Sequence, residues 1–246
     1  MRVTLKSITD VAEVIKRDVH GIDKENMLIY TACINDFLID NVENYFDNEE
    51  LLRIYSYFKR NDIKRSLIGR SIIKKFLGEL YNLHPHDIQF YLNSNGKLYY
   101  NTDIFFNVSH SHDYVIVGFY IYEIGIDIEK IEYQFNWDSM YEYILSDFEI
   151  GEFKLLGYSE VVKKGYMYWV YKESMVKAFG LGLDSKLLKN TFVEKIRVGT
   201  NDVYSISGKF IGNVYIYELN YNYIFAIMIK GKRYDRFYIK KTFKRK

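Results

Sequence analysis

Arg70-Ser71-Ile72-Ile73-Lys74-Lys75-Phe76 lies over Glu173-Ser174-Met175-Val176-Lys177-Ala178-Phe179 at an offset of 103 residues. Farther along, Asp113-Tyr114-Val115-Ile116-Val117 lies over Asn222-Tyr223-Ile224-Phe225-Ala226 at an offset of 109. Apolar residues in the first pair fall at helical spacing, and the second pair alternates as strands do. A chain that repeats helix and then strands in one order reads as two similar α+β halves, each a long helix packed on an antiparallel sheet. A cleft between such halves is a favoured place for a ligand.

The flanking sequence fills in both halves. Met27–Ile34 reads as a strand, 49–58 as a helix and 62–81 as a longer helix, which Pro85 closes off. Strands follow over 88–92, 97–100, 104–108 and 114–122, with Asn95-Gly96 as the turn of a hairpin. The second half has a helix over 166–179 and strands over 191–198, 203–207, 214–219 and 223–229. Residues 1–26 read as an extension: Asp10 and Glu13 have capping-box spacing, and Val11, Val14 and Ile15 make a short amphipathic helix. The expected divisions are therefore 1–26, 27–122 and 123–246.

Composition excludes several classes. With 48% apolar and 27% charged residues among 246, neither disorder nor a fibrous chain is expected. Twenty-five Tyr and 17 Phe against a single Pro favour substantial strand content. Net charge is only +2, so nothing drives the whole chain toward nucleic acid. Cys33 stands alone and excludes an intramolecular disulfide, and no apolar run approaches the roughly 18 residues of a membrane span. No secretory pattern opens the chain, so a cytoplasmic location and no membrane partner are expected.

Charge falls where burial should have excluded it. In Ile124-Gly125-Ile126-Asp127-Ile128-Glu129 the strand period places the isoleucines on one face and both carboxylates on the other. Adjacent like charges repel unless a cation sits between them, and Mg²⁺ suits one or two carboxylates with phosphate oxygens. The alternative is a solvated outer face. Glu173, however, sits on a helical stripe between Trp169 and Val176, an expensive place for a carboxylate without a partner. Lys177 follows one turn later, either as an ordinary i,i+4 pair or as part of an inward-facing functional pair. Asn107-Val108-Ser109-His110-Ser111-His112 sets hydroxyls and imidazoles at a turn between two apolar strands. Arg65 and Lys97 could supply charge to a polyphosphate, although most cations around Lys59–Arg70 read as a solvated face. His84/His86 and His110/His112 have no further His or Cys nearby for zinc, and no Gly-rich phosphate loop occurs.

Taken together, Phe106-Asn-Val-Ser-His-Ser111, Gly125-Ile-Asp-Ile-Glu129 and Trp169-x-x-Lys-Glu-Ser-x-x-Lys177 with Gly180 and Gly182 resemble the surfactin-type (Sfp-like) 4'-phosphopantetheinyl transferases in order and spacing. The resemblance runs from about Met27 to the C-terminus. It implies a pseudo-two-fold pair of α+β halves with the site between them. It also implies transfer of phosphopantetheine from coenzyme A to a serine of an apo acyl or peptidyl carrier protein, releasing adenosine 3',5'-bisphosphate with Mg²⁺ on the pyrophosphate. Asp127, Glu129 and Glu173 match the metal-binding acids, with Glu173 as ligand, base or both. Lys177 matches the lysine near the pyrophosphate and leaving group. Ser109, His110, Arg65 and Lys97 match coenzyme A contacts, His110 toward the 3'-phosphate.

The chain departs from the pattern where lysines usually precede the equivalent of Arg65, because Glu49 and Leu52 stand there, which leaves Arg53 a candidate for the adenine end. Lys97 is followed by Leu98 where the family has proline. The 141–153 segment reads as a flap with exposed aromatics for an acidic carrier. A self-contained monomer is expected. Two other readings remain: a catalytically weak protein of the same fold that binds coenzyme A or a carrier, and nucleic-acid binding by the basic 232–246 tail with Tyr234, Phe237 and Phe243 interleaved.

Overall fold

The computed structural model describes all residues except Asn41, 194–195, 206–207, 221, 233–237 and 243–246. The chain forms two compact units, one of Met1–Ile121 with Arg236–Lys246 and the other of Tyr122–Asp235.

In the first unit the elements run β1 (Arg2–Ser7), α1 (Lys16–Val19), β2 (Asn26–Cys33), α2 (Asn48–Tyr55), α3 (Arg60–Tyr81), β3 (Tyr91–Leu92), β4 (Leu98–Tyr99), β5 (Phe105–Ser111) and β6 (Tyr114–Tyr120). The second unit supplies β7 (Ile124–Lys130), α4 (Asp138–Ile144), α5 (Asp147–Gly151), α6 (Tyr158–Phe179), α7 (Ser185–Lys189), β8 (Thr191–Phe192), β9 (Gly199–Ser205), β10 (Phe210–Leu219) and β11 (Tyr223–Lys230). The chain then returns to the first unit as β12 (Tyr238–Thr242).

The first sheet has the order β12-β1-β2-β6-β5. Residues 1–26 are thus no extension: β1 lies inside the sheet, parallel to both β12 and β2, and buries Val3 and Leu5. Parallel neighbours need a crossover, which 8–25 supplies, so this sheet is mixed and not purely antiparallel as expected. Likewise 123–246 is not one half, since β12 leaves it. The capping-box spacing at Asp10 and Glu13 starts a single 3₁₀ turn, with Asp10 accepting from the Ala12 N–H at 2.8 Å. Helix α3 lies on β6 and β5, burying Ile68, Ile72, Ile73 and Phe76 completely, with the Phe76 ring stacked on Phe119 at 3.7 Å.

The second sheet, β7-β11-β10-β9-β8, is antiparallel throughout. Helix α6 lies on β7, β11 and β10, closing a core that includes Val170, Val214, Ile216, Ile224 and Ala226. The strand expected over 191–198 is shorter, ending at Phe192, and part of that stretch lies outside the described residues. Helix α6 begins eight residues before the expected 166, because Gly157 starts it and the Glu160 side chain folds back onto the Gly157 N–H at 3.1 Å.

The two units share one local plan. α3 and α6 are each 22 residues long, with starts and ends 98 positions apart. Both stop at a left-handed residue, Asn82 (φ 55°) and Gly180 (φ 64°). The next residue closes each helix, Leu83 N–H on the Gly78 carbonyl at 2.9 Å and Leu181 N–H on the Val176 carbonyl at 3.0 Å. Each long helix also buries one lysine completely. Lys74 donates to Glu50 (2.7 Å) and the Ile88 carbonyl (2.6 Å). Lys172 donates to Glu149 (2.8 Å) and the carbonyls of Leu188 (2.5 Å) and Thr191 (3.0 Å). In both cases the glutamate is the third helical residue of a capping box on the preceding short helix, with Asp47 or Ser146 at its head.

Candidate active site

The carboxylate-bearing strand and the lysine-bearing helix meet through a glycine. A Cβ on Gly125 would come within 1.9 Å of the Ser174 carbonyl oxygen and 2.2 Å of the Ala178 nitrogen, so only hydrogen lets β7 lie this close to α6. Two residues on, the same strand face carries Asp127, then Glu129. Glu173 and Lys177 immediately precede Ser174 and Ala178 on the helix. The close approach therefore aims Asp127 at Lys177, and Lys177 Nζ donates to Asp127 Oδ1 at 2.6 Å.

This is no solvated face. The Asp127 side chain is 5% exposed and that of Lys177 29%; Glu129 and Glu173 are half-buried. Burial pushes the Glu173 carboxyl above its usual range, as does the Asp127 charge, and Lys177 only partly offsets this. Burial alone would depress Lys177. The charge and hydrogen bond of Asp127, with the charges of Glu173 and Glu129, outweigh it and hold the ammonium above its ordinary value. Three carboxylates thus surround one ammonium. Their oxygens are hard donors and their excess negative charge suits a divalent cation, so the set fits Mg²⁺ in kind and in charge. Among the described residues no three His, Cys, Asp or Glu side chains are already gathered around a metal position. Lys177 holds the Asp127 oxygen instead.

The first unit gathers a second, cationic group. Arg65, on α3, donates to the carbonyl of His112 in the β5–β6 turn and pairs with Asp62. Asp62 lies below the usual carboxylate range, chiefly through the Arg65 hydrogen bond, with burial opposing and the charges of Arg65, Lys59 and His110 adding to it. His110 is exposed and shares its strand face with Val108, which packs on Gly69 of α3. Ser109 is buried on the opposite face with Asn107 and Ser111. The structure therefore brings Arg65 and His110 together around Asp62 and turns Ser109 away from them. Lys97 follows the Asn95-Gly96 turn, where its N–H donates to the Asn93 side chain at 2.8 Å.

The expected flap divides into anchored and exposed aromatics. Tyr141 stacks on Phe153 at 4.7 Å, whereas Tyr143 and Phe148 are more than half exposed. Of the tail expected to meet nucleic acid, Tyr234, Phe237 and Phe243 lie outside the described residues, while Tyr238–Thr242 forms β12 of the first sheet. Sequence reasoning missed the Lys172–Glu149 pair that fixes the residue next to Glu173. The signal was there in Ser146-Asp147-Phe148-Glu149, whose spacing is that of a capping box.

Residues 37–119 match the family model described as 4'-phosphopantetheinyl transferase, N-terminal, and 123–227 match that of the 4'-phosphopantetheinyl transferase superfamily. The 4'-phosphopantetheinyl transferase gsp of Aneurinibacillus migulanus is 31% identical over 155 residues, 60% of either chain. The 4'-phosphopantetheinyl transferase Sfp of Bacillus subtilis is 31% identical over 153 residues, 58% of this chain and 64% of its own. The rat L-aminoadipate-semialdehyde dehydrogenase-phosphopantetheinyl transferase is 27% identical over 172 residues, 63% of this chain and 55% of its own. The chain thus spans about three fifths of the length of the curated relatives it matches. No helix among the described residues is long and apolar enough to cross a membrane.

Proposed function

The chain belongs to the 4'-phosphopantetheinyl transferase superfamily, and on that premise we propose that it transfers the 4'-phosphopantetheine group of coenzyme A to a serine of an apo acyl or peptidyl carrier protein. The observation that carries this reading is the charge cluster of the second unit, where Lys177 is held by Asp127 and surrounded by Glu129 and Glu173. In the reaction the serine Oγ attacks the β-phosphorus, its bond to the bridging oxygen breaks, and adenosine 3',5'-bisphosphate leaves. Asp127, Glu129 and Glu173 would hold Mg²⁺, which when bound neutralises pyrophosphate charge and orients the reacting groups.

The remaining work falls to the side chains. Glu173 takes the serine proton directly or through water. Lys177 stays cationic and gives up its grip on Asp127 to donate to the oxygen that gains charge on the leaving phosphate. Arg65 and His110, gathered around Asp62, bind phosphate charge of coenzyme A with Lys97 as a further cation, whereas Ser109, buried on the opposite face of β5, is not part of that group. Exposed Tyr143 and Phe148 are the docking aromatics for the carrier. The protein acts as a cytoplasmic monomer serving nonribosomal peptide or polyketide carriers.

The test is to incubate the protein with coenzyme A, Mg²⁺ and several apo carriers and to weigh the carriers by mass spectrometry. A mass increase of one phosphopantetheine, lost on chelation of the metal, is expected. Unmodified carriers throughout would overturn the reading, and coenzyme A binding without any adduct would identify a binding protein of the same fold.

A further inference from the structure

The second unit holds a cavity of about 390 Å³ on a different side of α6 from the acids. Met175 and Phe179 form its helix wall; each lies two residues beyond Glu173 or Lys177, roughly 200° around the helix. Leu187 of α7 and Phe210 and Ile211 of β10 close the apolar wall. Lys209 and Lys230 are the charged lining, and no carboxylate is among it. Lys230 stands 5.0 Å over the Phe179 ring and is already paired with Glu123. Lys209 is exposed.

We propose that this cavity is a second ligand site, for an unbranched fatty acid whose chain lies against the apolar wall and whose carboxylate meets the two lysines. Its volume is near the lower end for small-ligand sites, enough for one acyl chain. A nucleotide would leave the polar edges of its base and its ribose hydroxyls largely without partners along this apolar wall. An anionic head group follows from the sign of the lining, which has ammonium groups alone. Because Lys230 shares its charge with Glu123, Lys209 carries the larger part of the head-group attraction.

The experiment is isothermal titration of the full chain with decanoate, octanoate, decanol and decylamine. One decanoate per chain is expected, with each methylene removed toward octanoate weakening binding roughly fourfold. Decylamine, repelled by both lysines, binds more weakly than decanoate. K209E weakens decanoate roughly threefold to tenfold and leaves decanol unchanged. I211W fills the cavity and abolishes binding of both, with a thermal melt as the check on its fold; if I211W does not fold, K209E decides. Equal affinity for decanoate and decylamine, or undiminished decanoate binding in K209E, overturns the proposal. Neither substitution touches the residues assigned to transfer, so phosphopantetheine transfer to a carrier is measured independently.

Discussion

Lys177 draws its state from its neighbours. In an apolar setting it would tend to lose its proton, yet Asp127, Glu173 and Glu129 together keep it charged. Removing Asp127 should therefore disturb both the lysine and any cation. Asp127→Ala is expected to lower kcat/KM for carrier modification by roughly 10²–10³ and to raise the Mg²⁺ needed for half-maximal rate. Near-full turnover at low Mg²⁺ would remove the aspartate from the metal site. Glu173 predicts a pH effect on stability. Its pKa is raised in the folded protein, so its favourable contribution is present below the unfolded value and is lost as pH rises through the folded value. Glu173→Gln should accordingly unfold at higher urea than wild type at about pH 8, with the gap closing as pH falls below the ordinary carboxylate value of about 4.3. A constant gap would show that ionisation is not its cause. The burial of Asp127 beside Lys177 was legible because period two set the carboxylates on one face of β7 and period 3.6 set Glu173 on an apolar stripe of α6. The role of Asp62 was not, since an exposed-looking Asp three residues before Arg65 reads as an ordinary helix pair until the β5–β6 turn brings His110 beside it.

Helix α6 is held in place by contacts at both flanks, a buried ion pair and a glycine contact. Lys172 and Glu149 are fully buried and both are pushed toward neutrality by loss of water, with their mutual attraction opposing it. Breaking such a pair strands a charge. Lys172→Ala or Glu149→Ala should each cost about 3–5 kcal/mol in denaturant unfolding, whereas the double change Glu149→Leu with Lys172→Met recovers most of it. A single variant as stable as wild type would contradict the burial. On the other flank, Gly125→Ala must push β7 from α6 by the width of a methyl group. Its expected outcome is a loss of about 1–3 kcal/mol together with reduced transfer, because Asp127 moves with the strand. Loss of stability at full activity would show that the contact does not position the acid. The long helices, the Asn95-Gly96 hairpin and strand β7 were readable from local pattern. The helix register was not. The match at 103 residues follows residue types, while the helix ends and buried lysines align at 98 or close to it. Lysines and apolar residues recur on every turn, so similar letters can be laid over one another in more than one register.

At the scale of the molecule, the first unit is assembled from both ends of the chain. Strand β1 was hidden from sequence reading because its partners are remote: β2 lies across a crossover and β12 follows the whole second unit. No local pattern announces a pairing of that kind. Deleting residues 236–246 should lower the melting temperature and speed hydrogen exchange at the β1 amides, while β10 and β11 keep their protection. Equal exchange in both proteins would mean that β12 adds nothing to the sheet. The same pairing also orders events during synthesis. The ribosome makes β1 first and β12 only after the whole of 122–235 has emerged, so one border of the growing sheet waits, hydrogen-bonding groups open, while the second unit has time to fold. For that interval the nascent chain is a template for stray strands, and slow elongation through 122–235 would lengthen the exposure.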